Sequence, residues 1–475
     1  MRDVWVVGVH TTRFGKHLSE TIKSLAARTV RGATADAGVD VSELQSAWFS
    51  NSAWGMTHFQ HCIRGQVALR PLGIDAIPIT NVENACASGS TAFHGAWKDV
   101  ASGLHDVSLA VGAEKVYRPN RYAVFASFLG GTDVEALPTE VRRLQENMPA
   151  AEGGARSSGT APAARPAQRL ERRRRTRKSL RARAKDLRDQ AVVGIQLGEA
   201  MGYDALRAIL RASRDGKGTG AGGERSPFMD IYAYAAREHM REHGSTARQL
   251  AVIASKNHWH SSMNPNAQYT FVVSPEDVLA DRLVAPPLTR AMCAPIGDGA
   301  AAAVLMSEAA ARRHGVLSRA VRVRASVLGS GRAREPDEPD IGERLAERAY
   351  EQAGLGPEDL DCAEVHDATA FGELHQTEAL GFCGRGEGGP AAERGETRLG
   401  GRLPVNPSGG LLSRGHPIGA SGLAQIHELV TQLRGEAGRR QVAAARLALA
   451  ENGGGALGRE EAAMCIHILE RARGT

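Results

Sequence analysis

Cysteine is scarce in this chain of 475 residues. The six present, Cys62, Cys86, Cys293, Cys362, Cys383 and Cys465, are scattered with no C-x-x-C pair. That spacing indicates neither a disulfide framework nor a cysteine-based zinc site, so no metal is expected and a reducing cytoplasm is the simplest compartment. Long apolar runs are missing as well. No stretch approaches the roughly 18 residues a membrane span needs, and the apolar start at Met1–Gly8 is broken by His10 and Arg13 before it could serve as a signal peptide. Charge of one sign is in excess only locally. The net charge is +6, yet Arg165–Arg188 holds twelve Lys/Arg against Glu171 and Asp186, so the remainder of the chain is net negative.

Large apolar side chains are almost absent from Ala151–Lys185, which is rich in Ala, Gly, Ser, Pro and Arg. Such a segment buries too little surface to offset chain entropy and is expected to be loop, frayed helix or disorder. Its basic run, Glu171–Lys178, has no aromatic between the arginines to stack on bases. A solvated basic loop is therefore the expectation, and nucleic-acid binding is not.

What the sequence does contain is internal similarity. Ala37-Gly38-Val39-Asp40-Val41-Ser42-Glu43-Leu44 resembles Ala353-Gly354-Leu355-Gly356-Pro357-Glu358-Asp359-Leu360, at a spacing of 316 residues. Each follows a helical pattern, Ser24–Asp36 and Ile341–Gln352, and precedes a short strand-like run. Farther on, Ala87-Ser88-Gly89 and Ala420-Ser421-Gly422 each open a helical stretch that leads through Gly103 or Gly435 to an apolar strand, Val107–Gly112 or Val442–Ala450. Twice the order is strand, helix, strand, helix, strand, which predicts two similar α/β halves built of parallel βαβ units.

Four places carry chemistry. Cys86 sits in Asn84-Ala85-Cys86-Ala87-Ser88-Gly89, where an apolar strand turns sharply into a helix of small residues. A thiol there feels the positive end of the helix dipole, which predicts a favoured and accessible thiolate; the competing reading is a small buried hydrophobe. His416 is pinned between Gly415 and Pro417 on a glycine-rich loop, just before a helix start. His366, in Glu364-Val365-His366-Asp367-Ala368, lies at a strand end beside a carboxylate. Finally, Glu451-Asn452-Gly453-Gly454-Gly455 is a strand end opening onto three glycines whose N–H groups could cradle an oxyanion. In an open α/β architecture all four fall at carboxyl ends of strands, which makes covalent acyl transfer the leading expectation. His258 and His260 form no metal cluster.

With these residues in hand, the sequence resembles the thiolase superfamily, in particular its sterol-carrier-protein-type and archaeal-type members, over Val4–Arg121 and Gly223–Glu470. Gly415-His416-Pro417-Ile418-Gly419-Ala420-Ser421-Gly422 resembles the family's GHPxGxxG motif, His366-Asp367-Ala368 its HDxF-type motif, and the Cys86 context its nucleophile. The resemblance implies a layered α-β-α-β-α fold with a central loop-domain insertion. Residues 1–118 would begin the N-terminal half, 119–225 form the loop domain with the basic insert at about 138–190, 226–318 complete that half and the CoA channel, and 319–475 form the C-terminal half. It implies thiolytic cleavage or condensation of a 3-oxoacyl-CoA, with coenzyme A as substrate or product and no tightly bound cofactor. Cys86 would carry the acyl group with His416 as its base, His366 and His416 would hold the thioester oxygen, and the N–H groups around Cys86, Gly453 and Gly454 would hold the acyl-enzyme oxygen. Ser226, Met229, Asn257 and His258 would line the CoA channel. A dimer or larger assembly, and a small OB-fold and zinc-ribbon partner protein, are further implications.

One departure is plain. The family's second cysteine, which moves the α-proton, would fall at Glu451 or Ala368, and neither can be a thiolate. Glu451 as a carboxylate base and His366 are the candidates in its place. The departure also leaves open a partner-dependent aldolase or condensing enzyme on a bulky acyl-CoA, or a non-catalytic acyl-CoA or lipid-binding protein.

Overall fold

The computed structural model describes residues 1–118, 124, 127–136 and 227–472. The basic insert, the run Glu171–Lys178 and Ser226 lie outside the described residues. By contact density the chain divides into two compact units, one of Met1–Tyr117, Ser127–Thr132 and Arg225–Thr475, the other of Arg118–Ala126 and Asp133–Glu224. In the second, Asp133 Oδ1 accepts the backbone N–H groups of Glu135 and Ala136, which makes a short side-chain-closed turn.

The first unit is built on eleven strands: β1 Val4–Thr11, β2 Ser46–Ser50, β3 Ile79–Val82, β4 Val107–Lys115, the short hairpin β5 Leu283–Ala285 and β6 Leu288–Thr289, then β7 Asp298–Ser307, β8 Val321–Ser330, β9 Cys362–Glu364, β10 Leu447–Gly454 and β11 Ala463–Arg471. Nine of them form one sheet in the order β3-β2-β4-β7-β1-β8-β11-β10-β9. Read outward from the β1–β8 seam, the two halves repeat: β1-β7-β4-β2-β3 on one side and β8-β11-β10-β9 on the other, with Val405 bridging Ala363 in the fifth place. The duplication expected from the sequence is thus visible in the topology.

The matched octapeptides fall at equivalent points. Helices Ile22–Ala37 and Ile341–Ala353 are each closed at the start by a capping box, Thr21 with Ser24 and Asp340 with Glu343. Each ends on a glycine in the left-handed region, Gly38 at φ 66° and Gly354 at φ 64°, where a side chain would be strained. These helices cover the outer faces of the sheet halves. Helices Ser88–Ala101 and Ser421–Arg434 lie between the halves, so that the order of layers is α-β-α-β-α, with the largest apolar cluster around the central pair. The central helices touch at glycine. A Cβ on Gly89 would stand 3.1 Å from the Gly422 nitrogen, and one on Gly422 would stand 2.6 Å from the Ser90 nitrogen.

Two expectations about strands need correction. Each half contains an antiparallel strand, β7 or β11, among the parallel ones. And the strand expected at Val442–Ala450 begins only at Leu447, because Ala444 takes φ 55° and the N–H groups of Arg446 and Leu447 are held by the Asp361 carboxylate. Val442 and Ala445 are buried all the same, as loop. No described helix is long and apolar enough to cross a membrane.

Candidate active site

Cys86 rides on a strained turn between β3 and the Ser88–Ala101 helix. Ala85, just before it, sits at φ 47°, a region an L-residue occupies only when its surroundings hold it there. The surroundings are explicit. Ser88 Oγ accepts the Asn84 N–H at 2.8 Å and donates to the Ala85 carbonyl at 2.6 Å, while the Glu83 carboxylate accepts the Ala85 N–H at 2.8 Å. The end of β10 presses on this turn from the other half. A Cβ on Gly454 would come within 2.7 Å of the Cys86 nitrogen and would collide with the Ala87 nitrogen, so only glycine fits. The next residue, Gly455, donates its backbone N–H to the Cys86 sulfur.

His416 reaches the same sulfur from the C-terminal half, its Nε2 3.2 Å from Sγ. Its Nδ1 lies 2.7 Å from Ser421 Oγ, and that hydroxyl donates its single proton to the Pro417 carbonyl at 3.0 Å. Ser421 therefore accepts from Nδ1–H, which leaves the Nε2 lone pair facing the thiol. The loop that carries His416 is gripped by the N-terminal half: Ser50 Oγ donates to the Gly419 carbonyl at 2.6 Å, and the buried Glu114 carboxylate accepts the Gly419 N–H at 3.2 Å.

The expected thiolate is not the resting state. Burial, with Glu83, Glu114 and Glu461 nearby, pushes the Cys86 thiol up to about 12, and burial holds His416 well below the usual histidine range. The helix-start field is outweighed first by burial and then by the three carboxylates around the turn. The pair rests as neutral thiol and neutral imidazole.

His366 completes the cluster, its ring 5.3 Å from that of His416 and nearly perpendicular at 82°. The Asn452 amide Nδ2, which can only donate, points at His366 Nδ1 from 2.9 Å. The imidazole proton therefore sits on Nε2 as a hydrogen-bond donor, and burial lowers the group to about 4, so it stays neutral. One ligand atom each from Cys86, His366 and His416 lies within 4.8 Å of the others.

Glu451 is fully buried behind His366. Its Oε2 accepts the His366 backbone N–H at 2.7 Å, Oε1 has no hydrogen-bond partner, and burial with the neighbouring Glu461 holds it protonated, well above the carboxylate range. Asn257 and His258 are not brought to this cluster. They lie buried on helix Ala247–Ser261, where Asn257 Nδ2 donates to Asp367 at 2.8 Å and Glu373 at 2.7 Å, and His258 Nδ1 meets Ser413 Oγ at 3.0 Å with its ring stacked on Phe271. Both belong to a buried polar network under the His366 and His416 loops. It also contains the Lys256–Glu373 pair at 2.6 Å, the Arg414–Glu364 pair at 3.1 Å, and Asp367, which accepts the Leu411 N–H at 2.6 Å. Met229 is half-buried on helix Pro227–His243. Sequence reasoning passed over Ser421, Asn452 and Gly455 as individual groups, although each stands inside a motif it had singled out.

Comparison with known proteins bears on the family and the fold. Residues 4–130 match the family described as Thiolase, N-terminal domain, and residues 341–471 match Thiolase C-terminal domain-like. An acetyl-CoA acetyltransferase of Methanothermobacter thermautotrophicus is 35% identical, covering 99% of this chain and 100% of the relative. Sterol carrier protein 2 of Homo sapiens is 31% identical over 95% of this chain and 70% of its own, and benzoylsuccinyl-CoA thiolase subunit BbsB of Thauera aromatica is 32% identical over 93% and 91%. Among solved structures, the Ltp2-ChsH2(DUF35) aldolase superposes with a TM-score of 0.68 at 21% identity, covering 100% of this chain and 99% of that one, a likeness of fold.

Proposed function

Because the chain belongs to the thiolase family, we propose that it is an acyl-CoA C-acyltransferase that carries the acyl group on Cys86 and cleaves or forms a 3-oxoacyl-CoA. The observation that carries this reading is the 3.2 Å approach of His416 Nε2 to Cys86 Sγ, with the tautomer set by Ser421. In the cleavage direction His416 takes the thiol proton as sulfur attacks the 3-oxo carbon, so that charge appears only when a ligand is there to use it. The backbone N–H groups of Cys86 and Gly454 would hold the oxygen of the tetrahedral adduct. When the C2–C3 bond breaks, its electron pair enters the departing acyl-CoA as an enolate, and His366 Nε2–H supports that oxygen. A donor of this kind contributes about 10²–10³ in rate.

Coenzyme A enters as substrate or product, with no tightly bound cofactor in the scheme. The name of the Thauera relative, a thiolase subunit, supports a partner subunit for this chain too. A second reading, a partner-dependent aldolase or condensing enzyme, is favoured by Glu451 and Ala368 standing where the family's second cysteine would be. Intact-protein mass spectrometry after incubation with acetyl-CoA or acetoacetyl-CoA separates them. The acyltransferase gains an acyl mass that is absent from Cys86→Ala, whereas a folded, CoA-binding protein without the adduct would overturn it.

A further inference from the structure

Two adjacent carboxylates close the β10–β11 hairpin, and they face opposite ways. Glu460 is held by two guanidinium groups, Arg334 at 2.9 Å and Arg344 at 2.9 Å, and by the backbone N–H of Arg332 at 2.8 Å, which keep it in the ionised range. It is an anchor for the hairpin. Glu461 turns back over β10, where its Oε1 would stand 2.8 Å from a Cβ placed on Gly453. Among the described residues no side chain hydrogen-bonds or ion-pairs with it.

Gly453 lies on the same strand face as Glu451, two residues before it, and Gly455, past the strand end at φ 72°, packs between the two segments: a Cβ there would stand 2.9 Å from that of Ala462, the residue after Glu461, and 3.7 Å from that of Ala85 in the Cys86 turn. The hairpin segment that carries Glu461 is thus packed across the end of β10 against the turn that carries Cys86. A base for the α-carbon belongs near the sulfur but not on it, because an acyl carbon bonded to sulfur and a nucleophilic carbon about 3–3.5 Å beyond it must fit between them. A carboxyl touching sulfur would leave no room for the second substrate.

We propose that Glu461 is the catalytic residue that moves the proton at the α-carbon, in place of the family's second cysteine and of Glu451. This rests on the acyl-transfer reading above. In cleavage, protonated Glu461 delivers its proton to C2 of the enolate as the C2–C3 electron pair arrives there, and becomes a carboxylate. The CoA thiol that resolves the acyl-enzyme returns a proton to Glu461 while Cys86 sulfur recovers its own from His416. In condensation the same carboxylate removes the α-proton, and the C–C bond forms as the Cys86 C–S bond breaks.

The neighbours support the assignment. Burial, opposed by His375 at a distance and by its own backbone N–H, raises Glu461 to about 7, while the adjoining Glu451 is pushed well higher and stays protonated. Two like groups side by side are thus split into a fixed acid and a group poised near neutrality.

The test uses the full-length protein with acetyl-CoA in D₂O, reading deuterium entering the methyl group and, in parallel, acetylation of Cys86 on the intact protein. Glu461→Gln is expected to lower exchange about 10²–10⁴-fold and acetylation less than about tenfold, since CoA thiolate, with a thiol pKa near 8.5, leaves without an acid. Glu461→Asp, which keeps the carboxyl, is expected to restore part of the exchange. Exchange unchanged in a folded Glu461→Gln, or lost in Glu451→Gln while retained in Glu461→Gln, would overturn the assignment. A wild-type protein that never acetylates Cys86 would overturn the acyl-transfer reading itself, and with it the role given to Glu461.

Discussion

The two central helices open on the same three residues and put the same serine to different use. In the N-terminal half, Ser88 closes the turn on itself, accepting from Asn84 and donating to Ala85, and so holds Cys86 on a backbone that would otherwise relax. In the C-terminal half, Ser421 donates to Pro417 and turns its lone pair to an imidazole, and so decides which nitrogen of His416 faces the thiol. A duplicated frame thus supplies one position twice, once to fix the turn that carries Cys86 and once to fix the tautomer of His416. Function in this fold comes from the difference between the copies, while stability comes from their likeness.

The contrast is most sharply broken at its two end points. Cys86→Ala should abolish the acyl adduct and lower turnover by more than about 10⁴-fold, because units of a nucleophile–base pair are not replaceable singly; full turnover by that variant would remove Cys86 from the chemistry. Ser421→Ala should lower turnover by about 10–100-fold with little change in thermal midpoint, part of the 10²–10⁴ that a placed base supplies. Ser88→Ala should do the reverse, costing about 1–2 kcal/mol of stability by leaving the Asn84 N–H unpaired, read in a denaturant titration. If both serine variants lost the same quantity, the division of labour would be wrong.

The glycines sharpen the same comparison at lower amplitude. A Cβ on Gly422 would collide with Ser90, whereas one on Gly89 meets backbone at 3.1–3.2 Å and needs only a small shift. Gly422→Ala should therefore cost about 1–3 kcal/mol, and Gly89→Ala measurably less. The smallest expected effect is a pH dependence. His375, 2.8 Å from Asp340, is raised to about 9, above its unfolded value. The stabilisation it contributes is complete below the unfolded value of about 6.5 and fades as pH rises through 9. Thermal midpoints measured from pH 6 to 9.5 should decline more in wild type than in His375→Gln.

Much of this was legible in the sequence. The repeated octapeptide announced the duplication because the same cap, glycine turn and strand entry recur in space, and the GHPxGxxG stretch located His416. The misplaced residues have physical reasons. Asn257 was expected to line a channel, yet Leu250, Ala254, Asn257 and Ser261 share one helical face, and that face is buried. The thiolate was expected from one field, that of a helix start, while what opposes it is first burial, which the fold decides, and then the carboxylates of Glu83, Glu114 and Glu461, the last two distant in sequence. Nothing in the sequence distinguishes Glu460 from Glu461, and only the turn of the hairpin sends the first to Arg334 and Arg344 and the second over Gly453. The antiparallel β7 and β11 were invisible because an alanine-rich or apolar run carries no sign of its direction.

Cys86 and His416 are 330 residues apart in the chain. At a ribosome adding about 5–20 residues per second, the nucleophile leaves the tunnel roughly 15–65 s before its base has been made. Throughout that interval the thiol has no imidazole to receive its proton and no Gly455 N–H to hold the sulfur. The Cys86–His416 pair thus exists only once the C-terminal half has been made, and an unfinished chain carries Cys86 as an ordinary thiol.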